Sequence, residues 1–228
     1  MQPSVGPSRE VFQPFADRRA GGRVLARMLA PWAGRDDTLV LALPRGGVPV
    51  GFEVARALGA PLDVLTVRKL GFPGHPELAM GAIASAGVCV LNDELVAAYG
   101  ISEALIAKVA QREAREITRR ERDYRGHAAR IDPSGRIVLL VDDGLATGAT
   151  MRAAVTAVRA RGPASVVVAV PVAAQESCDA ARLIADAVVC AATPNPFRAV
   201  GLWYEDFEQV TDAEVRSLLD RARGWRSS

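Results

Sequence analysis

Five runs of the chain are apolar without alternation: residues 38–43 (Thr-Leu-Val-Leu-Ala-Leu), 62–67, 136–141, 165–172 and 187–192. A strand with one wet face alternates apolar and polar residues, whereas an unbroken apolar run is buried on both faces. Helical stretches separate most of these runs. Asp17 is placed to cap a helix reaching Leu29, with Val24, Leu25, Met28 and Leu29 on one face. A second helix covers about 50–58, with Gly59 where a C′ glycine belongs. Others follow residue 150 to about 161 and cover 176–185. The pattern predicts an α/β fold: an open, mostly parallel five-stranded sheet with helices on both faces. At 228 residues the chain is about 1.5 average domains long, which favours one large domain over two small ones. Within it, residues 1–11 read as a loose arm, 38–193 as the sheet core, and 194–228 as a C-terminal extension ending in a helix.

The second and third runs are separated by a long insertion. Its first part, 69–77, is rich in Gly and Pro and reads as a mobile loop; residues 81–91 fit a short antiparallel pair. A charged helix then runs from Ser102 to about Arg125, carrying Arg112, Arg115, Arg119, Arg120, Arg122 and Arg125 among Glu113, Glu116, Glu121 and Asp123. Mixed signs at helical spacing describe a solvated, salt-bridged face rather than a stripe for nucleic acid. The whole-chain balance agrees, since 28 basic against 26 acidic residues gives only +2, without the basic excess of a phosphate-backbone binder. Of those 28, all but Lys69 and Lys108 are Arg. Three Cys without C-x-x-C spacing, with His75 and His127, predict neither a disulfide framework nor a zinc site; Cys89 and Cys190, in apolar runs, are expected to be small buried hydrophobes. No leader pattern opens the sequence and no run approaches 18 apolar residues, so a cytoplasmic protein away from membranes is expected.

The chemistry concentrates in Ile137-Val-Leu-Leu-Val-Asp142-Asp143-Gly144-Leu-Ala146-Thr147-Gly148-Ala149-Thr150. A buried strand ends in two adjacent carboxylates, and small residues then lead into a helix. Ligands of open α/β sheets bind beyond the carboxyl ends of the strands. Backbone N–H groups over 146–150, the hydroxyls of Thr147 and Thr150, and the helix N-terminus suit a phosphate. Asp142 and Asp143 beside them suit a diol, and the two together describe a ribose 5-phosphate. The loop lacks the lysine of a G-x-x-x-x-G-K-[ST] phosphate loop, and Gly144 and Gly148 are wrongly spaced for a dinucleotide fingerprint.

This segment resembles the phosphoribosyl pyrophosphate (PRPP) motif of type I phosphoribosyltransferases, closest in form to the adenine enzymes. Leu41-Ala-Leu-Pro-Arg45-Gly46-Gly47-Val-Pro-Val-Gly51 is similar to the pyrophosphate loop of xanthine-guanine enzymes. Val67-Arg68-Lys69-Leu-Gly-Phe-Pro-Gly74 is similar to the adenine-type segment leading into the flexible catalytic loop. The stretch from Phe197 through Gly201, Trp203, Tyr204 and Glu205 to Asp206 loosely resembles the hood over the nucleobase.

The resemblance implies transfer of 5-phosphoribosyl from PRPP to a nitrogen nucleophile, a nucleobase, with release of pyrophosphate as in purine salvage. It implies Mg²⁺ carried mainly by PRPP, and a homodimer. Arg45, Gly46, Gly47, Arg68 and Lys69 would hold the diphosphate, with catalysis assigned to Lys69, Arg68 and Asp143. Gly144, Ala146, Thr147, Gly148, Ala149 and Thr150 would hold the 5′-phosphate beside Asp142 and Asp143. Phe197, Trp203, Tyr204 and Glu205 are the base-site candidates, with one of the adjacent pair Trp203 and Tyr204 facing the pocket if that segment is extended. His75 reads as exposed rather than catalytic. Ala146 stands where hypoxanthine-guanine enzymes carry an acid, so no general acid or base comes from that position. A second reading therefore stands beside the first: a PRPP- or nucleotide-sensing regulator with the same fold and little or no transferase activity.

Overall fold

The computed structural model describes residues 13–72 and 75–225. The expected N-terminal arm over 1–11 lies outside them. The central sheet is built from β1 (Thr38–Ala42), β2 (Leu62–Val64), β6 (Ile137–Val141), β7 (Ser165–Val172) and β8 (Ala187–Ala192). These five strands are parallel and lie in the order β2-β1-β6-β7-β8. The unalternating runs have the expected cause. Val40, Ala42, Leu139 and Val141 point into one core, with α1 (Arg18–Met28), α2 (Gly47–Leu58) and α7 (Asp212–Gly224). Leu39, Leu41, Val138 and Leu140 point into another, with α5 (Ala149–Arg159) and α6 (Gln175–Arg182). Successive side chains of a strand face opposite ways, so a sheet with helices on both faces needs apolar residues at every position.

The helix ends follow local chemistry. Asp17 caps α1 by accepting from the N–H of Ala20 at 2.6 Å. Gly59 closes α2 at φ +66°, in the left-handed region that glycine enters without steric cost. Ser102 caps the long α4 (Glu103–Arg125) by accepting from Leu105 N–H.

The insertion is more ordered than its Gly/Pro content suggests. The strand expected over 62–67 stops at Val64, and the chain turns into a separate antiparallel sheet, β3 (Val67–Phe72), β4 (His75–Ala84) and β5 (Cys89–Leu91). The 69–77 loop is thus largely a hairpin, with Pro73 and Gly74 outside the described residues. Backbone pairing and the packing of Leu70, Met80 and Ile83 against Val109 and Ile117 of α4 override the local turn signal. Gly81 sits where a Cβ would lie 2.4 Å from the Val90 carbonyl oxygen, so the β4–β5 pair closes only on glycine. A short helix that the sequence pattern does not announce, α3 (Asp93–Ala98), follows β5, capped by Asn92.

The face of α4 splits in two. Arg119 and Arg120 pair outward with Glu116 and Asp123, as expected. Arg125 and Glu121 turn inward: Arg125 donates to Asp63 at 2.8 Å, to Glu121 at 2.9 Å and to the Val64 carbonyl at 2.6 Å. Burial pushes the Glu121 carboxyl upward, but the Arg125 charge and the hydrogen bonds around it hold it below the ordinary value. The cluster locks the end of β2, where the chain leaves the main sheet, to the C-terminal turn of α4.

Two cysteine expectations are corrected. Cys178 of α6 and Cys190 of β8 are joined as a disulfide, S–S 2.08 Å. They lie twelve residues apart, and the return of the chain from α6 into β8 brings them together. Cys89 is exposed, because it lies on the edge strand β5 of the small sheet.

Replacing Arg125 by Met is expected to cost about 3 kcal/mol, because it strands the buried Asp63 without its counter-ion and leaves Glu121 with Arg130 alone. Urea denaturation measures this. A loss under about 1 kcal/mol would mean that water, rather than Arg125, balances the two acids.

Candidate active site

Strands β1 and β6 are neighbours, pairing Ala42 with Val141, so the loops leaving their carboxyl ends lie side by side. The first is Leu43-Pro-Arg45-Gly46, which runs into α2 through a cis Pro44–Arg45 peptide. The second begins with Asp142 and Asp143 and runs into α5. The two loops approach too closely for side chains. A Cβ on Gly46 would stand 1.9 Å from Asp143 Oδ2, and one on Gly47 would stand 2.8 Å from the Val141 carbonyl oxygen and 2.9 Å from Asp142 Cα. Two helices of eleven and twelve residues therefore begin at the same end of the sheet, and the partial positive charge of their N-termini faces one region.

The second loop is pinned at intervals. Leu145 is buried; its N–H donates to the Val172 carbonyl and its own carbonyl accepts from Ala174 N–H. The Ala146 carbonyl accepts from the Ser177 hydroxyl of α6. Gly148 turns the chain at φ +73° and starts α5. Between these anchors Ala146, Thr147 and Ala149 are exposed, with Gly148 and Thr150 half-buried. A backbone left accessible in this way is suited to an anion.

Each acidic side chain commits one oxygen to the protein. Asp142 Oδ1 accepts from the Asp143 N–H at 2.9 Å, and Asp143 Oδ2 accepts from Arg18 Nε at 2.8 Å. Burial pushes the Asp142 carboxyl well above the ordinary range, and the neighbouring Asp143 charge pushes the same way. Burial also raises Asp143, against the opposing hydrogen bond and charge of Arg18. Arg18 is not among the residues that the sequence motifs point to. Its available sequence signal is a cation in the first turn of a helix, where the dipole disfavours it.

The structure separates two residues expected to act together. Arg68 and Leu70 share one face of β3, toward α4, where the Arg68 guanidinium pairs with the buried Glu113 carboxylate. Burial pushes Glu113 up; the hydrogen bonds from Arg68 and Arg112 outweigh it and leave the carboxyl below its ordinary value. Lys69 faces the other way, because successive strand residues alternate. It lines a cavity of about 630 Å³ together with Asn92 of the β5–α3 turn and with Ala149, Thr150 and Arg152 of α5. Arg45 leans toward α7, with Nη1 3.7 Å from Asp212.

The C-terminal segment closes the opposite side. Residues Val200–Trp203 form a 3-10 turn rather than the extended chain considered for Trp203 and Tyr204. Val200 fills the space beside Gly144, where a Cβ would lie 2.5 Å from Val200 Cγ1. Tyr204 is buried: its hydroxyl donates to the Asp143 carbonyl, its ring stacks on Phe207 at 5.2 Å, and burial drives its hydroxyl far above the ordinary tyrosine value. Phe197 packs into the same small core with Phe15 and Val172. Of the base-site candidates, Glu205 is exposed and Trp203 half-buried, while Phe197 and Tyr204 are packing groups of the hood.

Comparison with known proteins agrees with this arrangement. Residues 19–202 match the phosphoribosyl transferase domain family. The Mycobacterium tuberculosis (strain H37Rv) protein named "Putative phosphoribosyl transferase Rv0571c" is 50% identical over 208 residues, which is 91% of this chain and 47% of that protein. The chain therefore spans about half the length of the curated relatives it matches. The crystal structure of TT1426 from Thermus thermophilus is 44% identical and superposes with a TM-score of 0.79, covering 91% of this chain and 98% of that one. With its parallel sheet, its paired glycine and double-aspartate loops, and a family match over most of its length, the chain belongs to the type I phosphoribosyltransferases.

Proposed function

We propose that this protein transfers the 5-phosphoribosyl group of PRPP to a nitrogen nucleophile, a nucleobase, and releases pyrophosphate. The observation that carries this reading is the contact of Gly46 and Gly47 with Asp142 and Asp143. It sets a loop suited to diphosphate against a pair of diol acceptors, one loop away from an open phosphate cradle.

In this reading the 5′-phosphate sits on the backbone of 146–150, with hydrogen bonds from the Thr147 and Thr150 hydroxyls. Asp142 Oδ2 and Asp143 Oδ1 accept the ribose hydroxyls. The diphosphate lies against the Arg45–Gly47 turn and the start of α2. As the bond to C1 breaks, negative charge grows on the leaving group and an oxocarbenium-like centre is left. Fixed N–H dipoles and the Lys69 ammonium stabilise that charge, and pre-set dipoles do so without reorganisation. Arg68, held by Glu113, braces β3 and does not share this task.

The adjacent carboxylates are hard oxygen donors. That donor set fits Mg²⁺, which Asp142 and Asp143 would hold through its water shell while the diphosphate carries it. When bound, Mg²⁺ supplies positive charge to the leaving group. The ion pairs of Arg119 and Arg120 with Glu116 and Asp123 favour this small-molecule reading over a regulator that uses the α4 arginines to bind RNA.

The double variant Asp142→Asn, Asp143→Asn is expected to fold and to lose PRPP binding; unchanged affinity by calorimetry would sink the reading. Asp142 also gives a pH signature. Its folded form holds a proton at higher pH than its unfolded form, so wild-type stability falls relative to Asp142→Asn as pH rises from about 4, the unfolded carboxylate value, towards neutrality. Melting curves at the two ends check the sign. Lys69→Ala is expected to slow pyrophosphate release about 10²-fold. Lys69→Arg should not restore the rate, because a planar guanidinium does not replace a compact ammonium. A screen of purines and pyrimidines for PRPP-dependent pyrophosphate release identifies the acceptor, and full turnover by Lys69→Arg would show that Lys69 has no special role.

A further inference from the structure

Arg18 opens α1 directly after the capping Asp17, where the helix dipole opposes a cation. Its side chain must therefore be held by partners outside the helix, and three are present. Nε donates to Asp143 Oδ2 at 2.8 Å and Nη1 to the Glu208 carbonyl at 2.7 Å, while the guanidinium carbon stands 3.8 Å from the centre of the Phe207 ring. The Arg18 side chain is 11% exposed and that of Asp143 17%, so water and salt screen the pair far less than a surface pair. The carbonyl of the same Asp143 accepts from Tyr204, whose ring stacks on Phe207. Asp143 is gripped through its main chain by Tyr204 and through its carboxylate by Arg18, and both grips lead to the same hood segment.

The terminal torsion of an aspartate is broad and nearly two-fold, so an unheld carboxylate presents its oxygens in many orientations. Gly46 allows Oδ2 to lie against the β1–α2 turn, and Arg18 fixes it there. We propose that Arg18 is the positioning residue of the ribose site: anchored on the hood, it holds Asp143 Oδ2 against the β1–α2 turn so that Oδ1 is presented to the sugar hydroxyls of PRPP. The carboxylate is then ordered before the ligand arrives, and ordering completed in the free protein does not weaken binding. Arg18 contributes this through Asp143 and Glu208, not by touching the diphosphate. The inference rests on the PRPP reading and adds a residue of α1 to it.

The test is calorimetry on the full chain with Mg²⁺, using PRPP and inorganic pyrophosphate as separate probes, for wild type, Arg18→Met and Arg18→Lys. Arg18→Met is expected to weaken PRPP at least about tenfold while pyrophosphate, which lacks the sugar, stays within about twofold. Arg18→Lys should recover part of the loss, since an ammonium can meet Oδ2 but cannot also bridge to Glu208 in one plane. Wild-type affinity for PRPP in both variants, with the wild type itself binding, overturns this inference and leaves the function standing. An equal loss of both ligands also overturns it, because that marks a general loosening of α1. A wild-type protein that fails to bind PRPP overturns the functional reading and this inference with it. If Arg18→Met does not fold, Arg18→Lys decides alone: weaker PRPP with unchanged pyrophosphate supports the inference, and no change in either refutes it.

Discussion

The site depends on how closely two backbones approach at the end of the sheet. Parallel pairing of β1 with β6 sets their exit loops next to each other, and glycine at 46 and 47 removes the side chains that would keep them apart. Every other feature of the site follows from that closure. Asp142 and Asp143 become crowded and half-buried, which raises the cost of their charge. That cost in turn makes a fixed cation next to Asp143 worthwhile, and it explains why Arg18, from a helix far away in sequence, ends there.

Much of the main sheet was legible in the sequence, because burial on both faces leaves a mark that is local and one-dimensional. β7 and β8 span the expected residues, and the caps at Asp17, Ser102 and Gly59 stand where they were read. The insertion was harder. Its Gly and Pro residues signal turns, whereas the order of β3 and β4 comes from contacts with α4, some forty residues later in the chain. Leu65 still donates its N–H to the Ala42 carbonyl of β1, and the chain leaves the main sheet at Thr66, whose backbone bonds to Ser85 instead.

The double-aspartate and glycine loops could be found because their chemistry is written in consecutive residues. Arg18 and Ser177 could not, since each joins the site through one long-range hydrogen bond and neither belongs to a motif. The neighbours Arg68 and Lys69 are the opposite case. The family resemblance groups them in one task, while the alternation of a strand puts them on opposite faces and gives them different partners. The disulfide belongs with the long-range features: nothing in the spacing of Cys178 and Cys190 shows that a helix returns to a strand at that point.

The placement of the insertion also bears on the order of assembly. The central β1–β6 pair joins residues 38–42 to 137–141, and the whole hairpin and α4 lie between them. Closing so long a loop is entropically slow, and the contacts it enables come late. The β3–β4–β5 sheet and α4 pack on each other within a contiguous stretch, so they can collapse first and act as a spacer that brings Leu62–Val64 and Ile137–Val141 to the two sides of β1. The segment that carries Lys69 to the start of α5 would then also be the tether that shortens the search for the sheet from which α5 leaves.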